Sequence, residues 1–393
     1  MKRNIKVLAV LTSVLVTAGV LAGCSTKKTG TTSNNATETG DIKIGAVLPL
    51  TGSIASFGIS SKEALTVLEE EINNKGGILN GRKIKFIYED DANKQDQSTN
   101  AITKLIDSEK VVAIIGSVSS GSCLAMGPIA TQKKIPMITG TATNADVTTK
   151  GGNYVFRACY LDPFQGKTAA KFASTDLKAK KAAVLYDMGS DYSKGLADAF
   201  VSSFQGAGGT VTNNLTYNTG DKDFKAQLTK IKENNVDVLF LPEYYDAVPL
   251  IAKQAKELGI TATMIGGDGW DSPDLIKNGG AAVEGGYFVN HYSPDDTAQQ
   301  VQDFLKAYKA KWNGKTPDAL AALAYDAGKL LVDAISKAGT TDGAKVRDAV
   351  QNLNDTVVSG NITFDKDRNP VKGAVIIKIE NGKQVLKTKV AAN

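Results

Sequence analysis

From residue 41 onward, short runs of β-branched and aliphatic residues alternate with longer stretches in which apolar positions recur at helical spacing. Segments 42–50, 83–89, 111–116 and 135–139 read as strands, and 60–74, 97–109 and 122–132 between them read as helices. Strands that return only after a helix-length crossover predict a parallel sheet covered by helices on both faces. The alternation then repeats, with strands at 182–186, 211–217, 236–241 and 263–266 and helices at 193–205, 224–234 and 247–258. A second lobe of the same plan is expected.

The last part of the chain breaks the pattern. Segments 297–312 and 319–337 read as long helices and 345–353 as a shorter one. Residues 361–364 and 375–379 read as strands, and Glu380-Asn381-Gly382-Lys383 as a hairpin turn into 384–390. Helices without intervening strands cannot build a third sheet unit, so they are expected to return to the first lobe. The chain would then cross between lobes more than once, which is how a hinge is made.

The N-terminus carries a different signal. Lys2, Arg3 and Lys6 lead an apolar run over 7–22, too short and wrongly flanked to span a membrane, which reads as a secretory signal. Its end, Leu21-Ala22-Gly23-Cys24, resembles the lipobox of bacterial lipoproteins, in which cleavage falls before the cysteine and the thiol receives a diacylglyceryl group. Two or more acyl chains hold such an anchor stably, whereas one is marginal. Residues 25–40 are almost all Ser, Thr, Asn, Gly and Lys, with too little to bury to offset their ordering entropy, and are expected to form a flexible tether.

The ~350 residues that remain exceed one comfortable domain and agree with two lobes. The formal charge of +5 includes Lys2, Arg3 and Lys6, so the chain behind residue 23 carries +2 (5 − 3). That balance, without a basic stripe, gives no ground for nucleic-acid binding. With one histidine, His291, and only Cys123 and Cys159 behind Cys24, no cluster of histidine and cysteine metal ligands can form. A hydrolytic triad would have to be built around His291, whose setting at a strand end reads as structural. Cys123 and Cys159 read as buried free thiols, although an extracellular address permits them to pair. Gly76-Gly77 and Gly208-Gly209 follow helices and precede strands, so they are helix stops and not phosphate-binding fingerprints. Asp90-Asp91 ends a strand just before a helix, where capping and turn roles outweigh a catalytic one.

Ligands of open α/β sheets sit beyond the carboxyl ends of strands. Three such ends carry unusual residues here. Ser117-Val118-Ser119-Ser120-Gly121-Ser122 runs straight into a helix, and its hydroxyls and free amides suit an anion such as a carboxylate. Gly140-Thr141-Ala142-Thr143-Asn144 is a second hydroxyl-bearing turn. In Gly267-Asp268-Gly269-Trp270, Asp268 sits between glycines that admit a close neighbour. An acid on one lobe and anion donors on the other would suit a zwitterion. Ordinary turn chemistry produces such clusters too, and spacing alone leaves both readings open.

At these residues the chain resembles the substrate-binding proteins of ABC importers for branched-chain and other aliphatic amino acids. The markers run from Pro49-Leu50-Thr51-Gly52 and Phe57-Gly58 through Ile72-Asn73-Asn74-Lys75-Gly76-Gly77-Ile78 and Asp90-Asp91. They continue with Pro136-Met137-Ile138-Thr139, Asp162-Pro163-Phe164-Gln165-Gly166 and Phe364-Asp365. The resemblance implies an α/β, type I periplasmic-binding-protein fold, with two doubly wound parallel-sheet lobes joined by a multi-strand hinge. Residues 1–23 would be a lipoprotein signal peptide and 24–40 the tether. The N-terminal lobe would comprise 41–160 plus 291–360, and the C-terminal lobe 161–290 plus 361–393.

The resemblance also implies roles. Ser120 and Thr143 would bind the ligand α-carboxylate, and Thr141 would turn its carbonyl to the α-ammonium. Asp268 matches the acidic partner of the ammonium, usually glutamate in the family. Tyr192 and Tyr244 would close over the ligand from the second lobe. Phe57 would line the side-chain subsite, with Tyr325, Trp270 and Tyr245 as further candidates for its wall. Asn93 and Ser119 stand where some relatives have a disulfide. The partners implied are an amino acid, the permease subunits of an ABC importer, and the membrane through lipid on Cys24. No cofactor, metal or catalytic residue is implied, and the protein would act as a monomer. Two rival readings use the same residues: a sensor that presents its ligand to a receptor, and an extracellular enzyme with Asp90, Asp91 or Asp268 as acid and base.

Overall fold

The computed structural model describes residues 40–392; the expected signal peptide, Cys24 and nearly all of the expected tether lie outside the described residues. Alternation starts at once, with β1 (Ile42–Leu48), α1 (Ala55–Asn74), β2 (Ile84–Asp90), α2 (Gln95–Asp107), β3 (Ala113–Gly116), α3 (Ser120–Lys133), β4 (Met137–Thr139), α4 (Asp146–Gly151) and β5 (Val155–Arg157). All five strands are parallel, in the order β2-β1-β3-β4-β5. The period-two pattern divides each strand between two cores. Ile42, Ile44, Ala46 and Leu48 of β1 face Leu65 and Leu68 of α1, while Val47, Ile114 and Met137 face Leu105 of α2 and Met126 of α3. Each buried Val, Leu, Ile or Met among them contributes about 1.5–3 kcal/mol.

The chain crosses at 158–161 into a second series. It consists of α5 (Asp162–Thr175), β6 (Lys181–Asp187), α6 (Asp191–Gly206), β7 (Thr210–Tyr217), α7 (Lys225–Glu233), β8 (Val238–Leu241), α8 (Val248–Glu257), β9 (Thr263–Gly266), α9 (Pro273–Gly279) and β10 (Tyr287–Asn290). Its parallel strands lie in the order β7-β6-β8-β9-β10, the same plan as the first sheet. Both sheets therefore reverse their strand order beside their first strand, and a crevice opens there at the carboxyl ends.

After β10 the chain returns through α10 (Gln299–Lys311), α11 (Ala319–Ala338) and α12 (Gly343–Gln351). As expected of helices without strands, α11 goes back to the first lobe: Leu320, Ala324, Ala327 and Leu331 share the core with α1. A small hairpin follows, β11 (Asn354–Val357) with β12 (Gly360–Thr363), and then β13 (Ala374–Glu380) and β14 (Lys383–Val390). Strand β13 runs antiparallel to β10, and β14 antiparallel to β13, so the C-terminus completes the second sheet.

The final crossing is later than the sequence boundary at 360/361. Residues up to 369 stay with the first lobe because Phe364 packs edge-on against Phe156 at 5.3 Å. In addition, Arg368 donates to the carbonyls of Val155 and Thr148 at 3.1 and 2.9 Å. Three segments thus join the lobes: 158–161, the stretch after β10, and 370–373. In the last of these, Lys372 is buried and donates to the carbonyl of Ala158 and to Ser359 Oγ. Helix α1 begins five residues before the expected start, because Ile54 and Phe57 are fully buried and carry the first turn despite its serines and glycine.

Helix α5, which the hydrophobic pattern did not announce, packs against α6 through small residues. A β-carbon at Gly166 would stand 2.6 Å from Ala199 Cβ and 2.7 Å from the Phe200 nitrogen. Gly166→Val forces these helices apart and is expected to destabilise the fold by about 1–3 kcal/mol. A lowered urea midpoint with unchanged slope is the expected result.

Candidate functional site

The first-lobe half of the crevice is built on two buried charges. Asp91, at 0% exposure, accepts from Ser117 Oγ at 2.6 Å and Ser98 Oγ at 3.0 Å through Oδ2, and from the Asn93 amide through Oδ1. Asp90 accepts the Leu50, Thr51 and Ala92 amides. Both acids therefore organise turns. Arg157, also at 0% exposure, donates to the carbonyls of Ala142 and Asn144 at 2.7 and 2.9 Å and so shapes the 140–145 turn from beneath.

On this frame Ser120 opens α3 with its hydroxyl accepting the Asn144 amide at 3.2 Å. Thr141 Oγ1 donates to the Val118 carbonyl at 2.9 Å. Thr143 Oγ1 is buried with no hydrogen-bond partner. Ser119 holds the extended cap position without a side-chain capping bond, so amides of the first turn of α3 stay uncapped at an electropositive helix end.

The second-lobe half centres on Asp268, in a short 3₁₀ turn after β9 and only 3% exposed. Its Oδ1 accepts from Gln165 Nε2 at 2.8 Å and from Tyr192 OH at 2.9 Å; its Oδ2 faces His291 Nε2 at 3.0 Å. Gly267 makes room for this grip, since a β-carbon there would meet Gln165 Nε2 and Tyr192 OH at 2.6 Å. Tyr192 OH also accepts the Gly269 amide at 3.2 Å, and its ring stacks on Tyr244 with centroids 4.9 Å apart.

Aromatic contacts join the two halves. Phe57 of the first lobe meets Tyr244 and Tyr245 of the second edge-on, at 6.2 and 4.7 Å. The Ser56 amide donates to Tyr245 OH at 3.0 Å, and Asn144 Nδ2 donates to the Asp191 carbonyl at 2.8 Å. Beside this closure a groove of about 350 Å³ runs between the lobes, lined by Ser119, Gly121 and Ser122 on one side and Asp187, Tyr244 and Asp246 on the other.

The structure thus brings together Ser120, Thr141 and Thr143 in one lobe, Tyr192, Tyr244 and Asp268 in the other, and Phe57 and Tyr245 where the lobes meet. Two candidates for the subsite wall lie elsewhere. Trp270 is fully buried under the second sheet with Nε1 donating to the Leu241 carbonyl at 3.0 Å. Tyr325 points away along α11, where its hydroxyl donates to Glu71 at 2.5 Å and its ring lies 5.1 Å from Phe304. Cys123 and Cys159 are buried free thiols, each pushed up to about 12 by burial.

Sequence reasoning missed Arg157, Asp162 and Gln165, and it read His291 as structural only. Two of these sit in the Asp162-Pro163-Phe164-Gln165-Gly166 run, so the signal was present but its chemistry was not read. Around Asp268 several buried atoms lack partners: both carboxylate oxygens of Asp162, Gln165 Oε1, Tyr160 OH, Thr143 Oγ1 and His291 Nδ1. Burial lifts the Asp162 carboxyl to about 8; the Asp268 charge adds to this, while Arg157 and the nearby Thr143 hydroxyl, outside hydrogen-bond geometry, oppose it. Burial also lowers His291 to about 4 against the pull of Asp268.

Two doubly wound lobes, linked by three crossings and closing a crevice in which anion-suited turns face a buried acid, define a two-lobe solute-binding protein. Residues 41–384 match the model of the periplasmic binding protein family, and the chain belongs to it. The members of this family are extracytoplasmic binding proteins and not enzymes. The chain is 35% identical to the Leu/Ile/Val-binding protein BraC3 of Rhizobium johnstonii, over 78% of this chain and 82% of that one. It is 38% identical to the leucine-binding protein LivK of Thermotoga maritima, whose crystal structure superposes with a TM-score of 0.85 over 89% of this chain and 99% of that one. The branched-chain amino-acid substrate-binding protein LivJ of Streptococcus pneumoniae, solved with isoleucine, is 32% identical with a TM-score of 0.83, covering 90% and 99%.

The raised Asp162 carboxyl has a measurable sign. Between 3.8 and about 8 the folded protein keeps a proton that the unfolded chain gives up. Stability from this group is complete at low pH and is lost as pH rises through about 8. Asp162→Asn removes the titration. Its melting temperature relative to wild type, in ligand-free protein, is therefore expected to rise between about pH 5 and about pH 8.

Proposed function

We propose that this protein captures a branched-chain aliphatic amino acid between its lobes and delivers it to the permease of an ABC importer. The observation that carries the reading is the buried pairing of chemistries across the crevice. Uncapped amides at the start of α3 with Ser120 and Thr143 offer donors for an α-carboxylate, and the Thr141 carbonyl and Asp268 offer acceptors for an α-ammonium. The unpartnered Thr143 hydroxyl supports this, because buried polar atoms are otherwise satisfied. Phe57, Tyr244 and Tyr245 supply an apolar wall for the side chain, with Tyr192 acting through its bond to Asp268. BraC3 is a Leu/Ile/Val-binding protein, LivK a leucine-binding protein, and LivJ was solved with isoleucine, all of which agree with a leucine-type ligand. Cleavage before Cys24 and lipid on its thiol would tether the protein outside the membrane, as a monomer that docks on the permease when closed.

The test is calorimetric titration of the purified protein, freed of carried-over ligand by unfolding and refolding, with the common amino acids. One-to-one binding of leucine, isoleucine or valine is the expected result; silence toward all three overturns the specificity. Asp268→Asn keeps the size and shape of the side chain, and His291 can accept from the new amide through Nε2 once its ring proton moves to Nδ1. It is expected to weaken binding roughly tenfold or more, the scale of a lost hydrogen bond to a charged group.

A further inference from the structure

A carboxylate offers about four acceptor positions. At Asp268 three are occupied, two on Oδ1 by Gln165 and Tyr192 and one on Oδ2 by His291. Gln165 belongs to α5 and Tyr192 to α6, both within the second lobe, whereas His291 stands where the chain leaves β10 for the first lobe. The single position left to Asp268 is therefore on the oxygen that His291 holds.

The surroundings of His291 fix its ring. Its side chain is wholly buried, and the ring stacks on Tyr160 of the first crossing with centroids 3.6 Å apart. Its amide donates to Asn290 Oδ1 at 2.9 Å, and Asn290 Nδ2 donates to Asp271 Oδ2, which also accepts the Ala319 amide of α11. Lys372 of the third crossing acts on the ring electrostatically and, with burial, disfavours its protonation, whereas Asp268 favours it. The ring is neutral at physiological pH on this balance, so Nε2 carries the proton toward Asp268 and Nδ1 is left bare, in agreement with its lack of a partner. A neutral donor grips the carboxylate without cancelling its charge. A cation at the same place would compete with a ligand ammonium.

We propose that His291 is a positioning residue for the ligand's ammonium: it holds Oδ2 of Asp268 from the hinge and sets the aim of the one acceptor position that Asp268 keeps free. The proposal rests on the functional reading above, in which Asp268 receives that ammonium. It gives a buried histidine, read from the sequence as structural, a part in ligand recognition. It also links recognition to all three crossings, since the ring is stacked on the first, belongs to the second and senses Lys372 of the third.

The test is a double-mutant cycle with L-leucine as the probe, read by calorimetry on refolded protein. His291→Phe keeps the stacking and removes the donor, and is expected to weaken leucine binding on the order of tenfold. His291→Gln presents an amide donor at similar reach and should recover most of the loss. In the Asp268→Asn background both changes should have an effect of less than about twofold, because the carboxylate they act through is gone. His291→Asn, too short to reach Asp268, should behave as the Phe variant and serves if that one does not fold. Wild-type affinity in His291→Phe and His291→Asn, or an undiminished loss in the Asp268→Asn background, overturns the assignment. Silence of the wild type toward leucine, isoleucine and valine overturns the functional reading, and this inference with it.

Discussion

A carboxylate buried at the junction of two lobes must be given donors, or it drives the surroundings apart or takes up a proton. Asp268 is given three, each from a different part of the chain, and much of the second lobe is arranged around that requirement. Helix α5 must lie close enough to bring Gln165, which its small-residue contact with α6 allows. Helix α6 must start where Tyr192 reaches both Asp268 and the Gly269 amide. Strand β10 must end at Asn290 so that His291 follows it directly. Each of these elements has its own packing reason to exist, but their mutual register is set by one side chain.

The first lobe solves the reverse problem. Its crevice turns expose donors, and the buried groups behind them have opposite signs. Asp91 gathers serine hydroxyls and an amide under the 117–122 turn, whereas Arg157 gathers carbonyls under the 140–145 turn. Neither faces the crevice. Their function is to absorb the polar groups that tight turns leave over, so that the remaining amides and hydroxyls point one way. A pair of lobes with the same strand order thus presents opposite electrostatic faces, although the backbone plan alone would make them alike.

Most strands of both sheets were legible because burial on two-sided sheets leaves aliphatic runs, whereas the short β5 and β10 were given no segment of their own; the return of the later helices followed from the absence of strands among them. Three kinds of feature were not. Helix α5 was hidden because contact through Gly166, Ala169 and Ala173 needs small residues, which carry little hydrophobic pattern. The last lobe boundary was displaced because Phe364 and Arg368 are held by tertiary contacts with no local signature. The candidate site was legible at its turns, where Ser, Thr, Gly and Asp stand out. It was not legible at Gln165 and His291, whose roles depend on an acid a hundred and some two dozen residues away in the chain, respectively. Trp270 and Tyr325 show the same limit from the other side: proximity to a motif, or an aromatic ring in the right region, does not say which face of an element a side chain occupies.

The three crossings also set an order of events. The five strands of the first sheet are complete at Arg157, yet the face shared with α1 lacks its cover until α11 arrives at Ala319. The second sheet lacks its outer strands until Val390. Contacts of such separation form slowly and late. A chain emerging from its N-terminus would therefore leave apolar surface of the first lobe uncovered until α11 has emerged, and of the second lobe until β13 and β14 have. The topology that makes a cleft able to close thus also postpones the sealing of its cores until the C-terminal elements are in place.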